Sequence, residues 1–228
     1  MLRDFHISSA HHRVGLHGNL PFWVSLLKES QKLIPPNQKL NVLDFGCAEG
    51  KFLQIIDLFF NISCCVGVDY DKDLIEVAQI NNQNQFIEYI TDDQLSSTLI
   101  TKKEFFDVVY SQEVLYTLED LNHHAQVIYS VLKNRGFYFA TIGCHTDNPF
   151  WIKRREIIKQ GEKYPVYDYS LHEVTEIFHK AGFEVCLKRL PMEYFAVYHP
   201  NIVKEFGSLS HLVTHCIDYK MLFCFYKK

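Results

Sequence analysis

The chain has 228 residues, 47% of them hydrophobic, 14% aromatic and 22% charged, which excludes a disordered segment and a disulfide-stapled miniprotein and leaves one large domain or two small ones. With 23 Lys and Arg against 27 Asp and Glu the net charge is −4 while the histidines are neutral, and that argues against a surface built to neutralise nucleic-acid phosphates. The twelve histidines would carry the charge to +8 if all were protonated, so the balance holds only near neutral pH.

The N-terminal stretch MLRDFHISSAHHRVGLHG has no apolar signal core, and its basic cluster of His11, His12, Arg13 and His17 reads as a solvated face or an anion clamp. No later stretch reaches the roughly 18 consecutive apolar residues of a membrane span. After the breaker Pro35-Pro36 a first apolar run covers Leu40 to Phe45, and others follow at 63–70, 86–90, 105–111 and 137–143. The first two are apolar on both faces, as buried parallel strands require, and the others are further strand candidates. Between the last two, Leu121, Ala125, Ile128 and Leu132 fall on one helical face, with Gly136 as the stop signal. Ser170 and Glu173 have the spacing of a capping box, the stripe Val174, Ile177, Phe178 and Ala181 follows, and Gly182 ends that helix. A sixth run spans 183–190, and DYKMLFCFYKK closes the chain as a seventh. The alternation predicts an α/β fold, a doubly wound, seven-stranded, mostly parallel sheet with helices on both faces and the last strand antiparallel. Cys47, Cys64, Cys65, Cys144, Cys186, Cys216 and Cys224 contain no C-x-x-C pair. They suit neither a disulfide framework nor a zinc site, which predicts a reducing, cytoplasmic setting and no bound metal.

The segment that carries chemistry is VLDFGCAEGKF, residues 42–52, a strand that runs into a small-residue turn and then a helix containing Leu53, Ile56 and Phe60. Gly46 and Gly50 let the backbone pass close to a ligand where a Cβ would collide. A phosphate-binding P-loop needs a Gly-Lys-Ser/Thr ending, and Gly50-Lys51-Phe52 lacks the hydroxyl. A dinucleotide fingerprint would fall on Gly46, Ala48 and Lys51, with a lysine where helix and strand must pack closely. The bland alternative is a glycine-rich turn with no ligand. Asp69 ends the second run 19 residues after Gly50, the spacing of an acid that grips a ribose, whereas Asp71 suits a helix cap.

Asp44, Gly46, Ala48 and Gly50 resemble the first motif of class I S-adenosylmethionine-dependent methyltransferases, an acid followed by three alternating glycines, with Ala48 as the one departure. Ala48 is a small loss if its φ is negative and a strain if it is not. The resemblance implies S-adenosylmethionine as cofactor, with Asp44, Gly46, Cys47, Ala48 and Gly50 in the turn and Asp69 and Tyr70 beside the adenosine. Asp92 would meet the adenine amino group, with Asp93 as the competing choice since either could cap the next helix. Ser111 and Gln112, at the carboxyl end of the fourth strand, would border the methionine part.

YSQEVLYTLEDL and VLKNRGFYFATIG are similar to the quinone-biosynthesis type of small-molecule methyltransferase, and the match runs in order from about residue 40 to 190. Many members of that group carry Glu-His where this chain has Tyr116-Thr117, so no base or metal ligand carries over from those positions. No Asn/Asp-Pro-Pro-Tyr follows the fourth strand, and the paired carboxylates of magnesium-dependent catechol enzymes are missing. The resemblance therefore implies methyl transfer by in-line displacement to an O, N or C nucleophile of a small organic acceptor, with no nucleic-acid partner, by a monomer or homodimer. A cofactor-binding protein of the same fold without transfer activity is the alternative. His145, just past the fifth strand, is the candidate base, against the reading of an ordinary loop histidine. Aromatic residues at 145–169 (Trp151, Tyr164, Tyr167, Tyr169) and 191–214 (Tyr194, Phe195, Tyr198) could close the site or simply pack. On this reading residues 1–228 form one domain, with a cofactor-binding core of 40–190 and 215–228, an N-terminal cap of 1–39 and an insertion of 191–214.

Overall fold

The computed structural model describes residues 18–91, 102–161, 164–196, 200 and 206–228. Asp92, Asp93, Tyr198 and the basic cluster of His11, His12, Arg13 and His17 lie outside the described residues.

Helix α1 (Leu20–Gln31) starts at a proline, whose missing N–H costs nothing in a first turn. Strand β1 (Lys39–Phe45) leads through the small-residue turn into a 3₁₀ helix, Leu53–Leu58, rather than the α-helix expected there. Strand β2 (Asn61–Asp69) is followed by α2 (Lys72–Asn81), capped by the Asp71 carboxylate, which accepts from the backbone N–H of Asp73 and Leu74. Strands β3 (Ile87–Thr91) and β4 (Phe106–Gln112) come next, then α3 (Leu121–Val131) and β5 (Leu132–Ile142). Leu132 and Gly136, expected to end the helix, instead belong to β5, because Leu132 already pairs with Phe106 across an irregularity in the β4–β5 ladder. Helix α4 (Trp151–Gly161) occupies part of the expected aromatic loop, and α5 (Leu171–Lys180) begins at the expected capping box of Ser170 and Glu173. Strand β6 (Glu184–Arg189), α6 (Leu209–Val213), a single π turn (Thr214–Asp218) and β7 (Met221–Tyr226) complete the described chain.

The seven strands form one sheet in the order β3-β2-β1-β4-β5-β7-β6. Strands β1 to β5 pair in parallel, and β7 runs antiparallel between β5 and β6. Side chains alternate across the sheet. Leu43, Val66, Val109, Tyr138 and Phe225 face a cluster closed by α3 and α5, while Val42, Cys65, Val108, Phe139 and Leu222 face one closed by α1, α2 and the 3₁₀ helix. Both faces are thus covered, which is why the strands read as continuous apolar runs. Phe178 of α5 stacks on Phe225 at 3.9 Å between centroids, so truncating it to Ala removes a contact worth about 3–5 kcal/mol.

No helix among the described residues is long and apolar enough to cross a membrane. Strand β1 has β2 on one side and β4 on the other: the chain steps outward from β1 through β2 to β3, then crosses back to β4, where the strand order reverses. A parallel sheet opens a crevice at such a switch point, outside the carboxyl ends of its strands.

Candidate cofactor site

The turn after β1 is held open by alternating left-handed backbone: Gly46, Ala48 and Gly50 have φ of +81°, +46° and +74°. Gly46 N and Cys47 N both donate to Val68 O, at 2.8 and 3.0 Å, and Gly50 N donates to Cys47 O at 2.9 Å. Ala48 therefore takes the strained alternative, at a cost on the order of 1 kcal/mol relative to glycine. The strain is offset by Asp69, whose Oδ2 accepts from Ala48 N at 2.8 Å and whose Oδ1 accepts from Asp71 N at 3.0 Å.

The two glycines are required for packing as much as for approach. A Cβ on Gly46 would overlap Cγ2 of Val114, and one on Gly50 would lie 2.5 Å from the Tyr89 ring. The Tyr89 hydroxyl also donates to Gly50 O at 3.0 Å. Neither partner was identifiable in the sequence, because each comes from a distant strand end brought in by the sheet order.

A cavity of about 460 Å³ lies over this turn, within the range of small-molecule sites. At one end it is lined by Gly46, Ala48, Asp69 and Tyr70, and beside them by Gln112 and Glu113 at the end of β4. At the other end it is lined by Val114, Tyr116, Leu118, Tyr164 and Pro165. The strap carrying Tyr164 and Pro165 is pinned by Tyr167 N donating to Tyr116 O at 2.7 Å and by the Tyr169 hydroxyl donating to Leu118 O at 2.8 Å. At the base of the turn, Asp44 is 2% exposed, and among the described residues no hydrogen bond to its carboxyl is seen. Burial, with the nearby Asp69 charge second, pushes its carboxyl up to about 8.

Of the residues singled out in the sequence, Gly46, Ala48, Asp69, Tyr70 and Gln112 line this cavity, while Asp44 lies buried at the base of the turn and Gly50 packs against Tyr89. The side chains of Cys47, Ser111, His145 and Trp151 do not enter the cavity. The Cys47 side chain is buried in the cluster beneath the sheet, and burial drives its thiol far above the ordinary range. Ser111 is turned into the opposite core, where its hydroxyl lies 2.8 Å from Tyr138 Oη, itself 3.0 Å from His124 Nε2. His145 is fully buried and donates from Nε2 to the Tyr219 carbonyl at 2.8 Å. It sits past the end of β5 as expected, but its ring ties two loops together and does not line the cavity. Trp151 likewise packs in the core, its Nε1 donating to Asp168 at 2.7 Å, instead of closing the site. Glu113 was missed: it has φ of +58°, and a non-glycine residue in that region leaves no signature in sequence.

A methyltransferase domain family matches residues 36–182, and the chain belongs to it, as a class I S-adenosylmethionine-dependent methyltransferase. The ubiquinone biosynthesis O-methyltransferase of Bartonella quintana is 29% identical over 108 residues, 46% of this chain, and the match spans only 42% of that relative's length. Among solved structures, a chain of the complex between the Haloferax volcanii Trm112 methyltransferase activator and a methyltransferase superposes with a TM-score of 0.75 at 18% identity, covering 91% of each chain. Phosphoethanolamine N-methyltransferase 2 of Haemonchus contortus, in complex with phosphomonomethylethanolamine and S-adenosylhomocysteine, gives 0.68 at 19% identity over 90% of this chain and 53% of its own. The residues present fit S-adenosylmethionine: a small-residue turn whose Gly46 and Ala48 line the cavity, a buried carboxyl, Asp44, with no hydrogen bond from the described residues, and a second carboxylate, Asp69, with acceptor capacity left after two backbone bonds.

Proposed function

We propose that this chain moves the methyl group of S-adenosylmethionine to an O, N or C nucleophile of a small organic acceptor with an apolar body. The observation that carries the reading is the cavity lining. Among the described lining residues the charged side chains are Asp69 and Glu113, with no lysine, arginine or histidine, and the far end consists of Val114, Leu118, Pro165 and two tyrosines. Such walls favour an uncharged or cationic acceptor over a polyanion. The Bartonella relative is named for O-methylation in ubiquinone biosynthesis, and the Haemonchus neighbour holds a small phosphorylated amine.

When bound, S-adenosylmethionine supplies a methyl group already activated on a sulfonium, so little side-chain chemistry is required. The protein's part is alignment and exclusion of water. In this reading Asp69 and Tyr70 hold the adenosine, Asp44 and Gln112 face its cationic methionine part, and Gly46, Ala48 and Gly50 offer the backbone. Tyr116 and Tyr164 wall off the acceptor end. Burial raises the Tyr116 phenol well above its usual range, so its hydroxyl donates hydrogen bonds and does not take protons. The whole chain as one methyltransferase domain, acting in the cytoplasm as a monomer or homodimer, completes the proposal.

The test is a labelled-methyl screen: full-length protein and methyl-labelled S-adenosylmethionine are incubated with cell extract split into small-molecule, protein and nucleic-acid fractions. Label in a low-mass compound is expected. Label confined to protein or nucleic acid would overturn the acceptor assignment.

A further inference from the structure

Because β7 runs antiparallel to β5, with Met221 opposite Ile142, its first residues arrive where the parallel strands end. It delivers a lysine behind the wall of the cofactor crevice, against the lining residue Glu113. Lys220 is buried, its Nζ 3.0 Å from Glu113 Oε1 and 4.1 Å from the centroid of Phe22 in α1. The Glu113 carboxylate also accepts from Gly143 N through both oxygens, at 2.8 and 3.1 Å. Glu113 lines the cavity, and the segment that begins with it carries Val114, Tyr116 and Leu118 into the cavity wall.

The same place holds a carboxylate, a thiol and an imidazole, from Glu113, Cys144 and His215, with ligand atoms within 4.8 Å of one another. This donor set resembles a zinc site, but the hydrogen bonds around it oppose one. Asn148 Nδ2 donates to Gly143 O at 2.7 Å and Asn148 Oδ1 accepts from Phe150 N at 2.9 Å, which fixes the amide. Its 3.0 Å contact with His215 Nδ1 is then a donation to that nitrogen. The neutral ring keeps its proton on Nε2, where a metal would need the lone pair. The Lys220 ammonium already sits against the carboxylate such a cation would use.

We infer that Lys220 is a positioning residue for the cofactor site: its ammonium, with Gly143 N–H, clamps the Glu113 carboxylate and so holds the left-handed turn that places Gln112, Val114 and Tyr116 along the cavity. Three observations converge on this. Glu113 takes a backbone conformation that costs energy unless its surroundings enforce it. The pair joins a buried ammonium to a part-exposed carboxylate, an arrangement that adds little to stability and whose use is in fixing geometry. Lys220 is itself held from behind, since His145 donates to the carbonyl of Tyr219 and Leu190 N donates to Lys220 O at 2.9 Å. His145 thus acts on the site at one remove. The inference rests on the reading of the cavity as the S-adenosylmethionine site.

The test compares full-length wild type with Lys220→Met and Lys220→Arg by amide hydrogen exchange without cofactor and by calorimetric titration with S-adenosylhomocysteine. In Lys220→Met the amides of 113–117 should exchange roughly tenfold faster while those of α5 do not change, and affinity should fall roughly tenfold, with Lys220→Arg recovering most of both. Should Lys220→Met fail to fold, Glu113→Gln weakens the same clamp from its other side while keeping an amide oxygen in reach of Lys220 and Gly143 N, and it should shift exchange and affinity in the same direction. Unchanged exchange at 113–117 with only a lowered Tm would overturn the inference, as would an arginine variant no better than the methionine one. Absence of binding by wild type would instead count against the cofactor reading, and the exchange arm would still judge Lys220.

Discussion

The two ends of the sheet carry cavities of nearly equal size and opposite chemistry. At the amino ends of β4 and β5 a cavity of about 450 Å³ is bordered by Asp107, Lys133 and Arg135. Its one buried carboxylate is fully committed: Asp107 accepts from Lys133 Nζ on both oxygens at 2.9 Å, from Asn41 N at 2.8 Å and from Gln38 Nε2 at 3.2 Å. At the carboxyl ends the cavity of about 460 Å³ is lined by three residues with left-handed backbone, Gly46, Ala48 and Glu113, and adjoins the turn at whose base Asp44 is buried with no hydrogen bond from the described residues. Volume alone does not mark a binding site. Unused polar capacity and stored backbone strain do, because each costs stability that a ligand can recover.

The sharpest way to break this contrast is at Gly46. Gly46→Ala places a methyl group on Val114 in a left-handed conformation, and should reduce S-adenosylhomocysteine affinity at least about a hundredfold while costing about 1–3 kcal/mol of stability in urea unfolding. Asp69→Ala comes next. It removes the acceptor of Ala48 N and Asp71 N, and calorimetry should show affinity lower by about ten- to a hundredfold.

Asp44 gives a smaller effect with a definite sign. Its folded carboxyl titrates near 8, above its ordinary 3.8, so the free folded protein holds a proton there that the unfolded chain has lost. The stability this contributes is present below the ordinary value and is lost as pH rises through about 8. A cationic ligand favours the ionised form, so cofactor affinity should increase from pH 6 to 8 and binding at pH 7 should release a proton. The binding heat would then vary with the ionisation enthalpy of the buffer. In Asp44→Asn both dependences should vanish, and their persistence would assign the titration to another group.

At the opposite end, Asp107→Ala should cost about 1–3 kcal/mol by leaving Asn41 N without its acceptor, yet leave cofactor affinity within twofold of wild type. A larger change in affinity would mean the two ends are not independent.

The parallel sheet was legible because buried strands must be apolar on both faces, and α5 because Ser170 and Glu173 satisfy each other at its start. The motif turn was legible through Asp44, Gly46, Gly50 and the spacing to Asp69. What could not be read depends on which distant residues meet. Val114 explains Gly46 and Tyr89 explains Gly50 only once the sheet order is known. Ser111 was assigned to the crevice because it ends a strand, but strand alternation turns it to the core, where Tyr138 is its partner. His145 was placed correctly along the chain and incorrectly in role, since sequence position does not reveal that its ring is spent on the Tyr219 carbonyl. Helix α1 gave only a weak periodic signal and was read as part of a cap.

The central claim, that the cofactor lies at the carboxyl edge and not in the equal cavity at the other end, is tested most directly by ultraviolet crosslinking of labelled S-adenosylmethionine to the full-length protein, followed by peptide mapping. The label is expected in peptides containing 44–50, 69–74 or 112–118, competed away by unlabelled S-adenosylhomocysteine. Label in peptides containing 33–38 or 133–137, or label that competitor does not displace, would contradict the account.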